Sequence, residues 1–183
     1  MDLLTKIGLV AVGSALGGLS RWGMTVGEND GAAVRMEIDG KYTVGNGAGE
    51  MGNGCDTILV QIAAECLNCS VEDIDSSGVD TEHSPYDKGS YASSTTYCTG
   101  MAMVRACDRL IQKILALASG SLGIPVEKLV FDGERVYDPE SGVQIMRSEL
   151  ASEQLVRQES DRLAVEESYC TQVSPPPFMA GFA

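Results

Sequence analysis

The sequence predicts an α+β fold, with mixed sheets served by two main helices. Three observations lead there. Apolar residues recur at helical spacing along 56–67 and again along 94–118. Asp39-Gly40 and Asp132-Gly133 each stand between short β-rich runs, the signature of a tight hairpin. Strand pairs and single strands are interleaved with the helices, an order that implies more than one sheet and both strand directions.

The elements follow in order. Ile7 to Val12 is a short apolar run followed by a Gly-rich turn, read as a buried strand. Residues 7–19 are too short and too often interrupted by glycine to span a bilayer, so neither a membrane segment nor a cleaved leader is expected. Ala33 to Ile38 alternates around Val34, Met36 and Ile38, and Lys41 to Val44 continues after the Asp-Gly turn. Gly45, Gly47, Gly49, Gly52 and Gly54 then lead into a helix from about Asp56 to Leu67, with Leu59, Ile62, Ala63 and Cys66 on one face. Val71 to Asp75 reads as a short strand, and the polar stretch 76–90 with Pro85 and Gly89 as a loop. The longest helix is expected from Ser94 or Thr95 to Ala118, with Met103, Ala106, Leu110, Ile114 and Leu117 buried and Gly120 as its C-terminal cap. Leu129 to Phe131 and Arg135 to Tyr137 flank the second hairpin, and Val143 to Met146 adds a strand. Ala151 to Glu159 suggests a short helix capped by Ser148; Leu163 to Tyr169 alternates as a last strand before Pro175, Pro176 and Pro177. Residues 1–183 are expected to form one unit, with sublobes dividing near 1–125 and 126–183.

Charge narrows the function classes. The formal net charge is -13, with 13 basic against 26 acidic residues, so no cationic footprint for nucleic acid or an anionic membrane exists. A phosphate ligand would have to be met by neutral donors. Six cysteines in 183 residues are too few for a disulfide-stapled scaffold, and a reducing, cytoplasmic setting is expected.

Two helix starts carry most of the information. In Gly49-Glu50-Met51-Gly52-Asn53-Gly54-Cys55-Asp56-Thr57 a strand runs through a glycine turn into a helix. Free N–H groups and the positive end of the helix dipole favour an anion there. The structural alternative is an ordinary turn with Asp56 as helix cap. The segment is neither a Walker loop nor a dinucleotide fingerprint. In Lys88-Gly89-Ser90-Tyr91-Ala92-Ser93-Ser94-Thr95-Thr96, four consecutive hydroxyls open the second helix, as ligand donors or as a cap with hydroxyls to spare. If both starts serve one ligand, they must face a shared hollow.

The run Met51-Gly52-Asn53-Gly54-Cys55-Asp56-Thr57-Ile58-Leu59-Val60-Gln61-Ile62-Ala63-Ala64-Glu65 resembles the large subunits of molybdenum hydroxylases, of the xanthine dehydrogenase and aldehyde oxidase kind. There a Gly-Gln-Gly turn precedes a helix reading Asp-Thr-x-x-x-Gln-x-Ala-Ala-Glu. Val71 to Ile74, Asp80-Thr81, Gly89 to Ala106 and Ser174 to Phe178 resemble later pieces of the same subunits, in the same order. The resemblance implies a molybdenum cofactor-binding domain that holds molybdopterin, in some members as its cytosine dinucleotide. By position it places Gly52, Asn53 and Gly54 in one cofactor segment, Ser93 and Thr95 in the other, and Tyr91 and Ala92 towards substrate. It implies a parent oxidoreductase hydroxylating an aromatic heterocycle or aldehyde, with the remainder of the subunit and iron–sulfur and FAD-bearing flavin subunits or domains as partners. Asn53 stands where the family usually has the longer Gln. The family's Gly-Gly-Phe-Gly-Gly and Gly-Glu-Pro-Gly motifs do not occur, so no residue here inherits the catalytic base, and the chain is expected to be an internal fragment that binds little cofactor alone. The other reading left open is a non-catalytic module for a small phosphate ligand.

Remaining constellations read as structural. Cys66-x-x-Cys69 ends a helix, where the dipole opposes thiolate formation, and no second pair completes a zinc site. His83, the one histidine, is read as a loop surface residue, and Asp73, Asp75 and Asp80 lack calcium-loop spacing.

Overall fold

A computed structural model describes residues 29–90, 94–157 and 163–171. The expected strand at 7–12 and the proline run at 175–177 lie outside the described residues.

Strands β1 (Asn29–Met36) and β2 (Tyr42–Asn46) form the first hairpin, antiparallel, with Val34 opposite Val44. The turn needs Gly40 because its φ is 85°, where a side chain is strained, while Asp39 Oδ1 accepts the Lys41 N–H at 2.9 Å. Strand β3 (Ile74–Ser76) joins β2 in parallel, and the last strand, β7 (Ala164–Cys170), pairs with the far edge of β1 in antiparallel fashion. The sheet order is therefore β3-β2-β1-β7, mixed as its sequence order implies. A second, antiparallel sheet is a meander of β4 (Val130–Phe131), β5 (Arg135–Tyr137) and β6 (Gln144–Met146).

Helices α1 (Cys55–Leu67) and α2 (Ser94–Leu122) pack together, and α2 lies against β1 and β7. The strand alternation sends Ala32, Val34 and Met36 of β1, and Tyr42 and Val44 of β2, inward. They meet Leu59 and Ala63 of α1 and the stripe Met103, Ala106, Leu110, Ile114 and Leu117 of α2, all nearly inaccessible. Removing one such side chain, for example Leu110→Ala, should cost about 2–5 kcal/mol. The two sheets are joined at the end of α1. Asn68, left-handed at φ 51°, caps the helix and donates from Nδ2 to Asp132 O at 2.5 Å. Gly133 (φ 99°) approaches so closely that a Cβ there would lie 1.9 Å from Asn68 O.

Several boundaries differ from expectation. Helix α2 passes Gly120 and stops at Gly123, whose φ of 69° and N–H to Ser119 O (2.9 Å) close it; Leu122 still packs against the core and carries the helix that far. Helix α1 is capped by Gly54, not Asp56, which sits inside the first turn. Residues Val71–Asp73 make a 3-10 turn before β3, capped by Ser70 Oγ. Helix α3 (Arg147–Arg157) begins one residue before Ser148, and Glu149 reaches back to accept the Met146 N–H at 2.9 Å. No helix among the described residues is long and apolar enough to cross a membrane.

Candidate molybdopterin site

The glycine turn between β2 and α1 is ordered by its own acid. Glu50 Oε1 accepts the N–H groups of both Gly52 (2.7 Å) and Gly54 (3.1 Å). Those backbone bonds, Gly54 first and Gly52 next, hold the Glu50 carboxyl below the usual carboxylate range. Gly52 and Gly54 can make this tight wrap because their φ values are 92° and 72°. Two backbone donors of the turn, on Gly52 and Gly54, are thus taken by a carboxylate just ahead of the helix start.

What the turn offers outward is the Asn53 side chain. Its Oδ1 accepts the Cys55 N–H at 3.3 Å, which fixes the amide and turns Nδ2 across to Ser90 Oγ, 3.5 Å away. Ser90 also accepts the Thr95 hydroxyl at 2.8 Å. With both acceptances made, the single Ser90 proton is left for a third partner. Asn53, Ser90, Thr95 and Thr96, with Met51 and Cys55, line one hollow of about 310 Å³. The two segments, 37 residues apart from Asn53 to Ser90, therefore share a cavity. Of the hydroxyls at the α2 start, Ser94 and Thr95 turn inward and Thr96 stays exposed. Ser93, Tyr91 and Ala92 lie outside the described residues.

The segment ahead of α2 is clamped from behind. Asp87 Oδ1 accepts the Gly89 N–H (2.7 Å) and Oδ2 accepts the Thr99 hydroxyl (3.0 Å). Gly31 donates its N–H to Tyr86 O at 2.8 Å, and a Cβ on Gly47 would lie 2.3 Å from Pro85 O. Beneath sits Asp30, 1% exposed, whose carboxyl is pushed up by burial and then by the Asp87 charge. At the end of β2, Asn46 is fully buried with both amide atoms unpartnered. Sequence reading passed over Glu50, Ser90, Asp87 and Asn46; Glu50 and Ser90 fell within the quoted segments, but nothing singled them out from their neighbours.

Cys66 and Cys69 are free thiols pushed up by burial above all, with the neighbouring Asp108 charge adding at Cys66. His83 is exposed and lies 3.0 Å from Asp80 Oδ2. No group of three or more potential metal ligands occurs among the described residues. A larger hollow of about 540 Å³ lies on the open face of the four-stranded sheet, where Arg35, Thr43, Ser77, His83 and Glu166 stand among small and apolar residues.

A family profile described as a molybdopterin cofactor-binding domain matches residues 6–183. The Escherichia coli K12 protein named "Probable hypoxanthine oxidase XdhD" is 40% identical over 93 residues, covering 51% of this chain and 10% of that protein. The xanthine dehydrogenase molybdenum-binding subunit of Escherichia coli O157:H7 is 32% identical over 157 residues, covering 83% of this chain and 21% of that protein. Among solved structures, the CO dehydrogenase of Oligotropha carboxidovorans superposes with a TM-score of 0.64 at 25% identity, over 80% of this chain and 18% of that one. The chain thus spans between a tenth and about a fifth of the length of these relatives. With a profile match along almost its whole length, and with the α+β architecture shared by that solved relative, the chain belongs to the molybdopterin cofactor-binding domain family.

Proposed function

We propose that this chain is the molybdopterin-holding portion of a xanthine dehydrogenase-like oxidoreductase that hydroxylates an aromatic heterocycle or an aldehyde. The observation that carries the reading is the shared hollow, where Asn53 from one segment meets Ser90 and Thr95 from the other. Its donors are neutral, in keeping with a chain of net charge -13. Asn53 and Thr95, with Ser93, are the proposed cofactor contacts; Gly52 and Gly54 shape the turn, and Tyr91 and Ala92 are proposed to face substrate on the strength of the resemblance. When bound, the molybdenum centre supplies the two-electron redox chemistry that lets water furnish the oxygen. The chain's own share is to bind and orient the pterin and to keep a donor amide aimed at it. Among the described residues no carboxylate or imidazole lines the hollow, and the Cys55 thiol in its wall is pushed up by burial, so the base is proposed to come from elsewhere in the parent.

The parent is proposed to be cytoplasmic and to work with iron–sulfur and flavin subunits or domains; the cofactor is carried as molybdopterin or its cytosine dinucleotide. A simple phosphate-binding module is the weaker reading, because Glu50 has already taken two of the turn's backbone N–H groups, those of Gly52 and Gly54. The test is metal analysis of the full-length parent by plasma mass spectrometry. Near-stoichiometric molybdenum is expected, and a folded parent that carries none overturns the reading. The isolated chain should bind molybdopterin weakly, since a 310 Å³ open hollow supplies few of the contacts such a ligand needs; micromolar affinity in isolation would contradict this.

A further inference from the structure

We infer that Glu50 is a positioning residue, which holds the Gly52–Gly54 turn so that the Asn53 amide presents Nδ2 to the hollow. The inference rests on the reading of that hollow as a cofactor site. Four bonds form a chain. One oxygen, Oε1 of Glu50, takes the N–H groups on both sides of Asn53. With its flanking peptides pinned, Asn53 Oδ1 reaches the Cys55 N–H, and only then is Nδ2 free to point to Ser90. An amide has two faces, and a turn containing three glycines within six residues, Gly49, Gly52 and Gly54, would otherwise let Asn53 rotate and offer its oxygen instead. Glu50 itself sits at the solvent-exposed outside of the turn and does not line the hollow, so it acts through Asn53 rather than on the ligand. Helix α1 has no side-chain cap on Gly54; its first N–H, on Cys55, is met by Asn53 Oδ1, and Glu50 takes the two N–H groups of the turn that leads into it.

Because a single oxygen makes both bonds, the neutral amide of E50Q can replace it, whereas E50A cannot. The experiment uses the full-length parent and measures molybdenum retained per protein after gel filtration for wild type, E50A, E50Q, N53A and E50A/N53A. Loss of a residue that orients a ligand-holding group commonly costs about 10–100-fold in occupancy or affinity. E50A should lower retained molybdenum by about tenfold, E50Q should stay within about threefold of wild type, and the double variant should be no worse than N53A, all consistent with action through one side chain. Wild-type retention in E50A, or a further tenfold loss when E50A is added to N53A, overturns the positioning role. If E50A does not yield folded protein, E50Q decides: a tenfold loss there, with the acceptor oxygen kept, overturns it. A wild-type parent without molybdenum overturns instead the functional reading beneath it, so the two failures are distinguishable.

Discussion

The hydroxyl of Thr99, wholly buried on α2, donates to Asp87 Oδ2 at 3.0 Å, while Asp87 Oδ1 holds the Gly89 N–H at 2.7 Å. One carboxylate thereby ties the segment ahead of α2 to the helix that the segment feeds. Thr99→Val keeps the shape and removes the donor. A hydrogen bond to a charged group contributes about 1.5–3 kcal/mol, so the urea midpoint should fall by that equivalent. Asp87→Ala, which frees both ends of the clamp, should cost more. Equal stability of T99V and wild type would show that the carboxylate is satisfied without Thr99.

Gly47 and Gly49 look alike in the sequence and differ in space. A Cβ on Gly47 would lie 2.3 Å from Pro85 O and 2.7 Å from Asp87 Cβ, both on the clamped segment, whereas nothing lies within 4 Å of one on Gly49. Gly47→Ala should destabilise by about 1–3 kcal/mol through forced backbone movement. Gly49→Ala should stay within about 0.5 kcal/mol of wild type. Parallel urea titrations check the contrast, and an equal effect at both positions would refute the close packing of the loop on β2.

This contrast also marks how far the sequence could be read. The two long helices were legible because Leu59 and Ala63, and Met103 to Leu117, repeat at the helical period on a buried face. The hairpins were legible because Gly40 and Gly133 adopt the positive φ that an Asp-Gly pair announces. The shared hollow followed from supposing that two helix starts converge, and Asn53 and Thr95 do line it together. Glu50 was not legible as a partner of Gly52 and Gly54, because an acid between glycines reads as solvated until the turn's path is known. Asp30 and Asp87 escaped notice because burial of a carboxylate depends on the β1 register and on the path of residues 84–90, and no local pattern encodes either.

Arg147 joins the two sheets. Its Nη2 donates to Asp73 Oδ2 at 2.7 Å, Nη1 donates to Gly133 O at 3.1 Å, and the guanidinium lies 5.6 Å from the centre of the Tyr42 ring. The Arg147 hydrogen bond holds the Asp73 carboxyl below its ordinary value. A folded-state value depressed in this way contributes stability that is fully present above the unfolded carboxylate pKa, near ~3.9, and is lost as pH falls through the folded value. Arg147→Met should cost about 1–3 kcal/mol at neutral pH. The gap between wild type and variant should then narrow below about pH 4. A gap that stays constant from pH 7 to pH 3 would show that Asp73 is not the group concerned.

The cysteines give a prediction that separates packing from redox chemistry. Burial, and then the nearby Asp30 charge, push the Cys98 thiol up to about 11, and burial drives the Cys107 thiol higher still. Because the thiolate is the nucleophile, iodoacetamide at pH 8 should leave Cys107, Cys98 and Cys55 unmodified in the native protein and alkylate all six after unfolding. Peptide mass spectrometry should also find Cys66 and Cys69 as separate free thiols. Native labelling of Cys107, or a Cys66–Cys69 disulfide formed reversibly under mild oxidant, would contradict the structural role.

Asn53→Asp tests the sign of the charge that the hollow tolerates. The change keeps the size of the side chain and its acceptor for the Cys55 N–H, and replaces the Nδ2 donor 3.5 Å from Ser90 with a second acceptor. It also adds a negative charge beside Glu50, in a turn where that residue already takes the Gly52 and Gly54 N–H groups. For an anionic pterin ligand this combines a lost hydrogen bond with like-charge repulsion, each worth about 1 kcal/mol or more in a partly closed site. Asn53→Ala loses the bond without the repulsion. In the full-length parent, molybdenum retained per protein should therefore fall further in N53D than in N53A, by about fivefold or more. The difference should shrink as salt is raised, because part of it is screened. If N53D retains as much molybdenum as N53A at every ionic strength, the hollow does not face the charged part of the cofactor.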